Sequence, residues 1–256
     1  MTDTLRPTAT AAAAKPAVTK IGGGFMLSRE VKGRAEALGL DHWAYYFAGR
    51  CGVLGPVHAD VVRAAAGFFP AETVARSWES ALAVIGPFEA ARGYAEACHG
   101  WGRRRLAGLA EPEKLSALLE KVAAAADPAG VPLFAGWRAL PLPEDGPARV
   151  AQLLHVLREH RGGLHLLAVL AAGLTPLQAV VAGPYGPANA RFFAWPEPHP
   201  EPTDAWRALH ARAEDTTDAL AGRAYAVLDA AERTELVERL ADALRVAFPE
   251  QASESA

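Results

Sequence analysis

The chain has 256 residues, of which 51% are hydrophobic and 21% charged, and its formal net charge is −3 with neutral histidines. This composition is too apolar for a largely disordered chain, and two cysteines are too few for a disulfide framework or a four-cysteine zinc site. The near-neutral charge argues against general coating of nucleic acids, although it is compatible with a local basic patch.

The first part of the chain is predicted to be a tail followed by a helical subdomain. Residues 1–24 lack the apolar core of a signal peptide, and we predict a flexible tail there. Residues 25–130 are predicted to form an N-terminal helical subdomain, with Ser28 as the N-cap of its first helix and a second helix that starts at Asp41. Its further predicted helices cover 59–68, 71–84, 87–106 and 111–126.

The second part begins with a proline- and glycine-rich joint over residues 131–147, where a short extended piece is expected at 131–134. Residues 148–250 are predicted to form a C-terminal helical subdomain that resembles a helix-turn-helix without a clear β wing. Its predicted elements are a helix over 148–172, a tight turn, a helix from Thr175-Pro176, an irregular proline-rich segment over 183–202, and helices over 203–221 and 229–248. The predicted fold is therefore mainly α, with two packed helical subdomains.

The most apolar run, residues 164–182, has about the length of a membrane span. Gly173 and Thr175-Pro176 interrupt it, so two short buried helices fit this run better than one span. We therefore predict a cytoplasmic protein with no membrane partner.

The long helix over 148–172 carries the strongest candidates for chemistry. His160 falls on the apolar stripe of this helix, and a histidine that faces a core must be neutral and hydrogen-bonded or must bind something. The structural interpretation is a satisfied core histidine. The alternative is a metal site, which would need a second helix to supply further ligands. Its candidate ligands are His155, Glu159, His160 and His165.

A second candidate site is the aromatic stretch that precedes Arg50. An arginine among aromatic side chains at a helix end can bind a carboxylate or phosphate bidentately, or can pair with a buried carboxylate of the protein.

Three segments, 43–62, 132–165 and 214–240, resemble the SalK/EvbL-like bacterial family, a helix-turn-helix family related to MarR-type winged-helix regulators. The resemblance spans about residues 25–248. A leucine-arginine-glutamate-histidine-arginine-glycine run that ends in Asp-Gly-His is typical of the family, and here Gly163-Leu164 replace the Asp-Gly. Many relatives carry a further helix and a β wing before the C-terminal helix, and the 183–202 interval is too short for both. The resemblance thus implies a shortened, wing-less member.

The resemblance implies a regulator or a regulator-derived protein whose helical core binds a small molecule near the segments 46–50 and 155–165. The ligand-binding residues expected on this ground are Tyr46, Arg50, Glu159, His160, Arg161 and His165. DNA binding is in doubt, because the helix after the turn offers only Gln178 as a polar side chain. A homodimer through the terminal helices is a further expectation, although the leucines concerned can equally pack within one chain. These leucines are Leu228, Leu236, Leu240 and Leu244.

Two alternative functions stay open. The first is a metal-binding helical-bundle enzyme that uses the 155–165 segment, whose His-Arg-Gly run loosely resembles the DinB-like bundles. The second is a protein-interaction module without chemistry of its own. The sequence identifies no catalytic residue and no cofactor, and on balance it favours a protein that is not an enzyme.

Overall fold

The computed structural model describes residues 5–249 of the chain. All regular structure in this part is helical, which confirms the predicted mainly-α fold. The helices are α1 (Pro7–Gly24), α2 (Arg29–Ala37), α3 (His42–Cys51), a 3₁₀ turn (Gly52–Leu54), α4 (Ala59–Ala66), α5 (Ala71–Leu82), α6 (Pro87–Arg105), α7 (Pro112–Ala125), α8 (Pro132–Arg138), α9 (Gly146–Ala171), α10 (Pro176–Ala182), α11 (Gly186–Phe192), α12 (Asp204–Tyr225) and α13 (Ala230–Ala247).

The predicted N-cap of α2 and the predicted start of α3 at Asp41 are confirmed. The Ser28 hydroxyl accepts a hydrogen bond from the backbone N–H of Val31, and the Asp41 carboxylate accepts one from Ala44 at 2.8 Å. Each side chain satisfies a backbone donor that the first turn of a helix leaves without an intrahelical partner.

The prediction of a flexible tail over residues 1–24 is wrong for the described residues from Pro7 onward. They form α1, which packs against α9, α12 and α13. Alanine favours helix, and the small buried face of α1 allows a close approach: a Cβ added at Gly22 would lie 2.5 Å from the backbone oxygen of Leu154. Most of the buried face consists of small residues, with Val18 and Ile21 as its larger apolar side chains, so the apolar pattern that marks a packed helix is weak here. Residues 1–4 lie outside the described residues.

The long helix α9 is the centre of the fold. It packs against α1, α6, α7, α8 and α12. The main hydrophobic core contains residues from both sides of the joint at 131–147, so the two predicted subdomains share one core.

The joint itself contains helix α8, and the extended piece expected at 131–134 is wrong. Proline is tolerated in the first turn of a helix, and Trp137 secures α8 by donating a hydrogen bond from its indole Nε1 to the backbone oxygen of Arg50 at 2.9 Å. Contrary to the prediction, the segment over 183–202 is not irregular throughout, because it contains helix α11. Pro187 lies in the first turn of α11, where proline is again tolerated.

The helices α9 and α10 meet at an angle of 104° across a short break, as the predicted helix-turn-helix pair requires. Residues 183–202 contain no strand. Among the described residues no single helix is long and apolar enough to cross a membrane, and α9 with α10 reaches that length and apolarity only as a bent pair.

The leucines considered for a dimer pack within the chain. Leu228, Leu236 and Leu240 are buried in the main core, and Leu244 lies against it.

Candidate ligand-binding site

A cavity of about 180 Å³ lies between α3, the end of α4, the start of α8 and the middle of α9. Five of the six predicted ligand-binding residues line it, and these are Tyr46, Arg50, Glu159, Arg161 and His165. The apolar part of the wall includes Phe68, Phe69, Val131, Leu133, Leu166 and Phe193. The polar groups therefore converge on one side of a mostly apolar cavity, as in many small-molecule sites.

The base of the cavity is a buried ion pair between α3 and α9. Arg50 donates from Nε to Oε1 and from Nη2 to Oε2 of Glu159, both at 2.9 Å. Its Nη1 donates to the hydroxyl of Tyr46 at 3.0 Å. Arg50 and Glu159 are 7% and 2% exposed. Of the two roles considered for Arg50, the structure shows pairing with a buried carboxylate of the protein.

Glu159 has a second cationic partner. Arg158 donates from Nη1 to its Oε1 at 2.8 Å. Burial alone would raise the pKa of Glu159, but the charges of Arg50 and Arg158 outweigh it and hold this pKa at about 2. Two guanidinium groups share one carboxylate, so the network of Tyr46, Arg50, Arg158 and Glu159, here called the sealed network, carries one uncompensated positive charge.

His155 is a core residue behind this network. Its Nδ1 lies 3.0 Å from the backbone oxygen of Gly22, which can only accept, so Nδ1 carries the proton. Its Nε2 has no hydrogen-bond partner and lies 3.9 Å from Oε1 of Glu159. Burial lowers the pKa of His155 to about 4, because the imidazolium ion would be desolvated. The ring is fully buried, between Phe25 and Trp137.

His160 is the predicted ligand-binding residue that does not line the cavity. Its ring packs against that of Phe134, with ring centroids 4.7 Å apart, and it is 5% exposed. Burial lowers its pKa to about 4. The side chain points to α8 rather than to the cavity, which removes His160 from the candidate site.

The opposite edge of the cavity carries a more open network that links α1, α9 and α12. Arg161 donates from Nη2 to Glu214 at 2.7 Å and to Asp218 at 3.0 Å, and Lys15 donates to Glu214 at 2.5 Å. His165 stacks on Phe68 and has its Nδ1 3.0 Å from the hydroxyl oxygen of Thr217. We call Lys15, Arg161, His165, Glu214 and Asp218 the open network.

The structure does not bring the four candidate metal ligands of α9 together. His155 faces the sealed network, His160 faces Phe134, and His165 faces α12. Side chains five residues apart on a helix point in different directions, so only the i,i+4 pair of His155 and Glu159 shares a face. The set of His155, Glu159, His160 and His165 therefore forms no common metal site.

Sequence reasoning missed several lining residues. Arg158 is adjacent to Glu159 and part of the same charged run, which was the available signal. The aromatic residues come from separate segments, and only folding brings them together.

A second cavity of about 310 Å³ adjoins the first and reaches Trp43 and Phe192. The two cavities share Thr19, Tyr46, Phe69, Arg158 and Phe193.

Comparison with known proteins gives one match. A sequence profile described as a helix-turn-helix family matches residues 11–196, which include α9, α10 and all the lining residues of the first cavity. No curated protein and no solved structure matches the chain.

Proposed function

We propose, from the premise that this chain belongs to the helix-turn-helix family, that it is a regulator or a regulator-derived protein whose helical core binds a small molecule. We place it with the SalK/EvbL-like, MarR-related proteins as a shortened member without a wing. The observation that carries the proposal is the cavity between α3 and α9, with its mostly apolar walls and its few charged groups.

The lining favours a particular ligand chemistry. The sealed network carries one excess positive charge, and aromatic and aliphatic side chains form most of the remaining wall. Such a charge attracts an anion, and the apolar walls favour an apolar body. The expected ligand is therefore a small apolar molecule with one anionic group.

DNA is the less favoured partner. In α10, which follows the turn, Ala179, Val180 and Val181 are buried. The side-chain oxygen of Gln178 accepts from the backbone N–H of Thr175 in a capping box, so this side chain already serves the helix end. A recognition helix must present free polar side chains to base edges. Duplex binding that weakens steeply between 50 and 200 mM salt would favour the DNA-binding alternative.

The test is a thermal-shift screen of small aromatic and aliphatic carboxylates, each paired with its neutral primary amide. We expect some carboxylates to raise Tm while their amides do not, because only the anion meets the excess charge. The variant Arg158→Met should abolish this preference, whereas the exposed Arg92→Met should retain it. Equal binding of acids and amides, or no binding by any compound, would overturn the proposal.

A further inference from the structure

Two histidines and a carboxylate meet at the edge of the open network. His165 comes from α9, and His210 and Glu214 come from α12. One ligand atom from each lies within 4.8 Å of the other two. His210 and Glu214 are four residues apart and therefore share a face of α12. The second helix that a metal site on α9 would need is thus α12.

The hydrogen bonds of His165 fix which ring nitrogen carries the proton. The Thr217 hydroxyl donates to the backbone oxygen of Ala213 at 2.6 Å, so its oxygen can only accept from Nδ1 of His165 at 3.0 Å. Nε2 of the neutral ring is then unprotonated. It faces Oε1 of Glu214 at 3.7 Å. Two lone-pair atoms facing each other repel, unless a cation or a hydrogen-bond donor lies between them. The pair of His155 and Glu159 has similar geometry but is fully buried, whereas this pair is partly exposed and has His210 as a third ligand beside it.

The two carboxylate oxygens of Glu214 have different partners, and this arrangement suits such a cation. Its Oε2 accepts from both Lys15 and Arg161, whereas its Oε1 is the atom that faces His165. The two cations orient the carboxylate, and Thr217 orients the imidazole through Nδ1. Partners of this kind, behind the ligand atoms, are typical of protein metal sites.

We propose that His165, His210 and Glu214 bind one divalent transition-metal ion, with Zn²⁺ as the best fit. Imidazole and carboxylate ligands suit Zn²⁺, and three protein ligands leave a fourth position for water or another ligand. Tetrahedral bonds of about 2.0–2.1 Å place ligand atoms roughly 3.3 Å apart, so the three side chains must close inward by about 1 Å. The site adjoins the cavity, because His165 lines it, but the metal proposal does not rest on the ligand function, because the charge that attracts the anion belongs to the sealed network.

The test is a Zn²⁺ titration of the untagged, chelator-treated full chain, by competition with a chromophoric chelator. We expect about one Zn²⁺ per chain, and at least a tenfold loss of affinity in His210→Ala and in Glu214→Gln. His58→Ala is the matched control, because His58 is exposed and lies outside the site, and its affinity should equal that of the wild type. Co²⁺ should give visible d–d bands that His210→Ala removes.

Circular dichroism identifies any variant that fails to fold, and the two ligand variants provide independent tests. His210 is only partly buried, so His210→Ala is the less disruptive of them. The proposal is overturned if the wild type binds no stoichiometric Zn²⁺, or if folded His210→Ala and Glu214→Gln bind it as tightly as the His58→Ala control does.

Discussion

Glu159 and Glu214 each accept hydrogen bonds from two cationic side chains, but they differ in their access to water. The Glu159 side chain is 1% exposed and belongs to the sealed network, whereas that of Glu214 is 24% exposed and belongs to the open network. Each carboxylate has one more buried and one more exposed partner. Beside Glu159 these are Arg50, 8% exposed, and Arg158, 27% exposed. Beside Glu214 they are Arg161, 11% exposed, and Lys15, 39% exposed.

The difference assigns the two networks different roles. A charge that is cut off from water cannot be solvated if its partner leaves, so the sealed network holds α3 against α9 in one arrangement. In the open network, Lys15 and Glu214 can exchange a protein partner for water at lower cost, because both are partly exposed. We therefore expect the sealed network to determine the geometry of the cavity, and the open network to tolerate the small movements that metal binding needs.

The largest expected effect is the loss of stability in Glu159→Gln, which we compare with the same change at Glu214 in the open network. Glu159→Gln leaves the buried Arg50 beside a neutral amide, and we expect it to lower the free energy of unfolding by about 3–5 kcal/mol. Glu214→Gln should cost less, because water reaches Lys15 and the carboxylate itself, although Arg161 is nearly buried. Urea unfolding of the two variants beside the wild type measures both values.

A double variant separates the lost charge from the lost packing. Arg50→Met with Glu159→Leu removes both buried charges of the bidentate pair, and it should be more stable than Glu159→Gln alone. If Glu159→Gln and Glu214→Gln cost the same, the distinction between sealed and open networks is wrong.

The next effect is a loss of stability in mild acid. Burial lowers the pKa values of His155, His160 and His165 to about 4, whereas the unfolded chain has histidine pKa values near 6.5. The unfolded chain therefore binds more protons between these values. The histidine contribution is complete above pH 6.5 and is lost as the pH falls towards 4. The contribution of Glu159, whose pKa is about 2, is lost only at lower pH, below the unfolded value near 4.5.

Urea unfolding at pH 7, 6 and 5 measures this dependence. Each of the three histidines can contribute up to about 1.4 kcal/mol per pH unit. His160→Leu should flatten the dependence, because it removes one buried group that resists protonation, while the exposed His58→Ala should leave it unchanged. Equal stability at pH 7 and pH 5 would contradict the neutral, buried state of these side chains.

The sequence is sufficient for those features that local chemistry determines. Ser28 and Asp41 are recognisable as N-caps because capping depends on neighbours three residues away. The direction of His160 is not recognisable, because α9 is surrounded by other helices and apolar residues occur on most of its faces. The partners of His165 are absent from any local pattern, since Glu214 and Thr217 lie about fifty residues away on α12.

The smallest effects come from the two adjacent glycines of α9. From the sequence alone, each glycine can serve either to bend the helix or to let another segment approach it closely. A Cβ at Gly163 would lie 2.5 Å from Cγ1 of Val131, whereas a Cβ at Gly162 would meet no atom within 4 Å. Gly163→Ala should therefore lower the free energy of unfolding by about 1–3 kcal/mol through overpacking. Gly162→Ala should raise it by about 0.5–1 kcal/mol, because alanine favours helix over glycine. Urea unfolding measures both changes. Changes of the same sign would mean that α9 does not approach Val131 closely, and that both glycines serve only to bend the helix.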